Sequence, residues 1–287
     1  MPTVLLLPDS ALLVPGAGGA LADPLGEARS AALRVLRAVP RRGTVLVIAP
    51  GRTVRVLSGP FGDGLAAAGI DGTAVRRGPE PVDDGRPEEG TVVRTAVPGV
   101  GAAAALALLR LTGHEPDRTA TVLEVAPAGV PGLPDQGSAI VDPGDVPAPS
   151  DRGSAIVDPG GAAEQSVPDT SGLPSDLPSD LRLVVVVGSL SARHGPDAPL
   201  PDDPAAIAAD VALLTALAAG PRALAEVLRD LRLPESDRLA ITGGRPWRAA
   251  LSLLAEDGVL PDTDAELLWS GAPGGAQHAV ARWRIGA

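Results

Sequence analysis

Val4-Leu5-Leu6-Leu7-Pro8-Asp9-Ser10 sets four consecutive aliphatic residues against a turn that carries an acid. A short apolar run bounded by turn residues is the pattern of a strand covered on both faces, as in parallel sheets. Similar runs recur at 44–48, 92–96, 121–125 and 183–187. Helical periodicity fills much of the remainder. Residues 24–39 put Leu25, Ala28, Ala32, Leu33 and Leu36 on one face and Arg29, Arg34 and Arg37 on the other. An Ala/Leu helix follows at 101–111, two more at 204–219 and 222–231 flank the stop-and-restart signal Gly220-Pro221, and another covers 247–255. Strand patterns at 266–270 and 279–284 surround Gly271-Ala272-Pro273-Gly274-Gly275 and read as a hairpin. The expected fold class is α/β: a mainly parallel central sheet with right-handed crossovers, helices on both faces and a C-terminal β-hairpin closing one edge. Open sheets of this class bind ligands beyond the carboxyl ends of their strands, where Asp9 stands.

The segment 129–181 breaks this alternation, being crowded with Pro, Gly, Ser and Asp and lacking either periodicity. It contains a near-exact duplication, 135–144 against 151–160, in which Gln136 and Arg152 mark the one difference. Two copies are too few for a stacked repeat. The expected organisation is therefore a single α/β domain, with an N-terminal part over 1–128 and a C-terminal part over 182–287, interrupted by a disordered insert whose repeat arose by slippage in a tolerant loop.

Composition narrows the function classes. With 287 residues and 45% hydrophobic content the chain can bury a substantial core, but one Phe, three Trp and no Tyr mean that Ala, Val and Leu must fill it. A net charge of −11 and a pI near 4.7 argue against a nucleic-acid partner, which demands clustered positive charge. Absence of Cys excludes disulfides, thiolate metal sites and cysteine nucleophiles. No apolar run reaches the roughly 20 residues that span a bilayer, and no signal-peptide pattern opens the chain, so no membrane association and a cytoplasmic location are expected.

Three stretches carry a family resemblance. Pro8-Asp9-Ser10-Ala11-Leu12-Leu13-Val14-Pro15, then Val45-Leu46-Val47-Ile48-Ala49-Pro50-Gly51, then Val184-Val185-Val186-Val187-Gly188-Ser189-Leu190-Ser191-Ala192-Arg193-His194 together resemble the class III extradiol ring-cleavage dioxygenase (LigB-like) superfamily. Loops at 188–199, Arg245-Pro246-Trp247 and the tail at 267–283 are similar to an actinobacterial branch of it. The resemblance implies an α/β fold and, in the family, Fe(II) held by a His in Pro-His-Pro-Pro and a His in Ser-Pro-His. Asp9 and Gly51 occupy those two positions here. The family's acid-base His, in Gly-x-x-Ser-His, corresponds to Ala192, with His194 two places later. The expectation is a divergent relative with a degenerate metal site, without ring cleavage, holding a small molecule or a protein partner in the retained cleft. No metal ligands are assigned and no resident cofactor is expected, Fe(II) belonging to the resembled family.

The residues themselves offer further chemistry. A facial Fe(II) site needs two His and a carboxylate, and the chain has only His114, His194 and His278. His114 reads as a loop or capping imidazole and His278 as a structural residue on the last strand, leaving His194 at a strand's carboxyl end as the catalytic candidate. Ser191 beside it would be its nucleophile in a Ser/His hydrolase, although no Gly-x-Ser-x-Gly elbow is present. A metal-dependent oxidoreductase rebuilt from Asp9, His194 and an acid such as Glu266 is the other enzymatic alternative. Asp9, Ser10, Gly51, Gly188, Ser189, Arg193 and Arg245 are expected to line the cleft, the two Arg being suited to gripping an anion. Asp9 equally suits an Asx turn. Gly16-Ala17-Gly18-Gly19 lacks the third Gly of a dinucleotide loop, since position 21 is Leu21.

Overall fold

The computed structural model describes residues 2–19, 23–70, 95–126, 178, 180–255 and 258–286. Its strands are β1 (Thr3–Leu7), β2 (Thr44–Pro50), β3 (Arg55–Ser58), β4 (Ala120–Val125), β5 (Leu181–Val187), β6 (Thr263–Gly271) and β7 (His278–Ile285). They form one sheet in the order β3-β4-β2-β5-β1-β7-β6. The four central strands run parallel, through β4–β2, β2–β5 and β5–β1. The outer pairings β3–β4, β1–β7 and β7–β6 are antiparallel. The sheet is thus mixed, and the expectation of a mainly parallel sheet is corrected. The C-terminal hairpin is present, and its β7 docks directly against β1, so one hairpin contributes two antiparallel pairings.

Side-chain alternation builds two cores from the same strands. Val4, Leu6, Ile48, Val184 and Val186 face the helices α4 (Pro204–Ala219), α5 (Pro221–Asp230) and α7 (Gly244–Leu254). Leu5, Leu7, Val45, Val47, Leu183 and Val185 face α1 (Gly26–Ala38) and α2 (Val100–Leu111). In α2 every residue from Gly101 to Leu109 is buried, since its small side chains let it lie close to the sheet and its neighbours. Trp247 and Trp283 supply the largest volumes on the other face, and Trp283 Nε1 donates to Leu217 O at 2.9 Å. Among the described residues two short helices complete the set, α3 (Pro116–Thr119) and α6 (Leu233–Arg238).

Strands from both sides of the expected insert share this sheet. The duplicated segment lies outside the described residues, as does most of the apolar run at 92–96, of which Ala96 forms an isolated bridge with Phe61. The insert's end is corrected: Thr44 N–H donates to Asp180 O at 3.1 Å, and Leu181 already opens β5.

Candidate functional site

The parallel registers Leu7↔Val187 and Ile48↔Val186 carry the ends of β1, β2 and β5 to one edge. Asp9, Gly51 and Gly188 follow those ends. Gly188 N–H donates to Leu7 O at 2.8 Å, and Asp9 N–H donates to Ser189 Oγ at 2.9 Å. A Cβ on Gly188 would lie 2.3 Å from Gly243 Cα, so the absence of a side chain lets the start of α7 reach this edge.

That approach brings in Thr242. Its Oγ1 accepts from Ser189 N–H at 2.9 Å, and it also hydrogen-bonds the Asp9 carboxylate. Burial pushes the Asp9 carboxyl above its ordinary range, against the opposing effect of the Thr242 hydrogen bond. The carboxylate fills the space beside the first turn of α2, where a Cβ on Gly101 would lie within 2.2 Å of Oδ1. Ser189 Oγ also bonds His278 Nδ1 at 3.0 Å. Burial pulls the His278 imidazole down to about 4, so it is neutral near pH 7. Ser189 and His278 are both buried, 6% and 7% exposed.

His194 and Ser191 occupy a separate cluster. His194 Nε2 meets Asp210 Oδ2 at 2.5 Å, and Ser191 N–H donates to Asp210 Oδ1 at 3.0 Å. Ser191 Oγ is buried without a partner among the described residues, so the His194–Ser191 hydrogen bond required of a hydrolase pair is not formed. Asp210 is 2% exposed, and burial raises its carboxyl despite the hydrogen bonds from Ser191 and His194. Its sequence signal was legible: Ala206, Asp210, Leu213 and Leu217 form the buried stripe of α4, and an acid in such a stripe needs a partner.

A cleft of about 440 Å³ opens beyond the ends of β2 and β4. Pro50, Gly51 and Val125 form one wall, while Ser236, Asp237, Ile241, Thr242, Arg245 and Pro246 from α6, α7 and their connection form the other. Of the residues expected in the cleft, Gly51 and Arg245 line it. Asp9 and Ser189 adjoin it through Thr242, and Gly188 lies against Gly243. Ser10 and Arg193 do not line this cleft. Ser10 Oγ accepts from Leu12 N–H at 3.2 Å and caps the 3₁₀ turn Ala11–Leu13, while Arg193 donates to Pro201 O at 2.9 Å. Thr242, Ser236 and His278 carried no motif, and they join the site through contacts distant in sequence.

The residues do not fit the iron of the resembled family. A Cβ at Gly51 would fall 2.5 Å from Glu124 Cβ, so a histidine there requires Glu124 to move. Glu124 is itself committed, accepting from Gly99 N–H at 2.5 Å and Arg55 Nε at 2.7 Å. Glu266 pairs with Arg282 at 2.6 Å on the outer hairpin. Among the described residues no three His, Asp or Glu are grouped to hold a metal, so the rebuilt set of Asp9, His194 and Glu266 is not assembled.

No protein-family model matches this chain, and no curated protein does. Among the described residues no helix is long and apolar enough to cross a membrane.

Proposed function

We propose that the protein is a divergent relative of the extradiol dioxygenases that binds a small molecule in the cleft beyond β2 and β4 and does not cleave catechol rings. The observation that carries this reading is the cleft itself. Its volume of about 440 Å³ suits a small ligand, and its walls combine apolar Pro50, Val125, Ile241 and Pro246 with a few polar groups. It forms where open α/β sheets place their ligands. Absence of ring cleavage is supported by the donor set: Asp9 is tied to Thr242, and the space at Gly51 is taken by Glu124.

Titration of ¹⁵N-labelled protein with catechol tests the binding half. Saturable shifts at the amides of Gly51, Ile241 and Gly244 are expected, and shifts confined to other surfaces defeat it. Anaerobic loading with Fe(II), followed by oxygen and catechol, tests the other half. No yellow ring-opened product is expected, and turnover overturns it.

A further inference from the structure

The polar side chains of the cleft are Ser236, Asp237, Thr242 and Arg245, and α7 brings Arg245 there together with its own N-terminus. Its N-terminal residue Gly244 follows Gly243, which makes no side-chain cap. The first turn of a helix leaves N–H groups without intrahelical partners and carries partial positive charge. Gly243 N–H is used by Ser189 O at 3.0 Å, and Gly244 N–H reaches Ile241 O at 3.4 Å. Pro246 has no N–H, which leaves Arg245 N–H as the donor of this turn with no partner among the described residues.

Two side chains point to a ligand independently of the helix. Arg245 is 8% exposed and lines the cleft, and its Nε has no hydrogen-bond partner among the described residues. Ser236 is 1% exposed and lines the same cleft, with Oγ equally unpartnered among them. Buried donors without acceptors cost free energy, so their joint presence at one cleft marks a place for an acceptor.

Charge agrees. The protein acceptor on Arg245 is Asp237, which takes one bond from Nη2 at 3.3 Å and is half-exposed. Arg248, on the same helix, places its Nη atoms on the carbonyls of Gly244, Leu228 and Leu231 and has no carboxylate partner among the described residues. The Arg245 guanidinium at the cleft is therefore balanced by one long ion pair alone, and the helix terminus adds to the positive side.

We infer that the cleft ligand is a small organic acid, its carboxylate held by the guanidinium and N–H of Arg245 with Ser236, and its apolar body lying against Pro50, Val125, Ile241 and Pro246. Asp237, on the solvent side, gives up its single long bond as the acid enters. This assignment rests on the cleft being a small-molecule site, and it adds the chemical class. A phosphate would use the same donors, but the apolar wall opposite them favours an acid with a hydrocarbon body.

Benzoate, benzyl alcohol and inorganic phosphate, titrated into the full-length ¹⁵N-labelled chain, separate the possibilities. Benzoate should shift the amides of Gly51, Ile241 and Gly244 and bind at least about tenfold more tightly than benzyl alcohol, as charge-assisted bonds require. Arg245→Gln should abolish that preference. Ser236→Ala, a smaller change that serves if Arg245→Gln does not fold, should weaken benzoate roughly threefold to tenfold. Equal binding of benzoate and benzyl alcohol, or a benzoate affinity indifferent to both variants, overturns the acid and leaves the cleft reading standing. Failure of both aromatic probes to shift those amides removes the acid and the cleft reading together. Phosphate displacing benzoate at lower concentration overturns the carboxylate in favour of a phosphate ligand.

Discussion

His194 Nε2 lies 2.5 Å from Oδ2 of Asp210, while the neighbouring Ser191 gives that acid its backbone N–H and leaves its own hydroxyl unpartnered among the described residues. The imidazole offers a buried carboxylate its second hydrogen bond, tying the loop after β5 to α4. Removing one member of such a pair strands the other, which is where the free-energy cost arises. His194→Ala is expected to destabilise the fold by about 3 kcal/mol. Asp210→Asn added to it should recover more than half of that loss, as read from guanidinium unfolding of the two variants.

Acid stability should carry the signature of His278. Its folded value of about 4 lies below the ordinary 6.5, so between these the unfolded chain holds a proton that the folded chain does not. Stability from this residue is complete above 6.5 and is lost as pH falls toward 4. Asp9 and Asp210 act oppositely, because carboxyls raised from 3.8 take up protons in the folded state first and favour folding on acidification. His278→Asn removes the destabilising effect. Unfolding free energies measured from about pH 7 to about pH 5 should decline less in the variant, by up to ~1.4 kcal/mol per pH unit.

The tight seat of Asp9 predicts a compensating pair. A Cβ on Gly101 would meet Asp9 Oδ1 at 2.2 Å, so Gly101→Ala is expected to cost roughly 1–3 kcal/mol through overpacking. In an Asp9→Gly background most of that cost should vanish. A double-mutant cycle by urea unfolding measures the coupling, and additive losses show that the carboxylate does not occupy this seat.

Ala240, beside the cleft, sits in the left-handed region at φ 56°. It ends α6: Ile241 N–H reaches back to Ser236 O at 2.8 Å, and Ala240 takes the position usually given to Gly. Ala240→Gly relieves about 1 kcal/mol of backbone strain, partly offset by the freer unfolded chain. A small rise in the denaturation midpoint is expected there, whereas Ala250→Gly, inside α7, should lower it.

The parts of the fold legible in the sequence are those whose burial is continuous. β1, β2 and β5 show as aliphatic runs because helices cover both of their faces, and β4 shows as an apolar run interrupted by Glu124. β3 has no such run. It is largely exposed and held by its pairing with β4 and by Arg55 on Glu124, neither of which leaves a local trace. The mixed sheet escaped for a related reason: the apolar pattern of β7 shows that it is a strand but not that it docks on β1. At the site, Asp9, Gly188 and Ser189 were visible as turn residues following strands. Thr242, Ser236 and His278 were not, because a polar residue in a loop or at a strand end looks solvated until its partner arrives from elsewhere.

The place of β7 between β1 and β6 bears on how the chain is made. β1, Thr3–Leu7, finds its lateral neighbours only at residues 183–187 and 281–284. Until those are synthesised, both hydrogen-bonding edges of an all-aliphatic strand stay open. Long-range pairing of this kind slows folding and exposes the nascent chain to association. Loss of β7 would therefore uncover one edge of β1 as well as an outer strand, and a variant with β7 deleted should yield aggregate in place of a folded sheet.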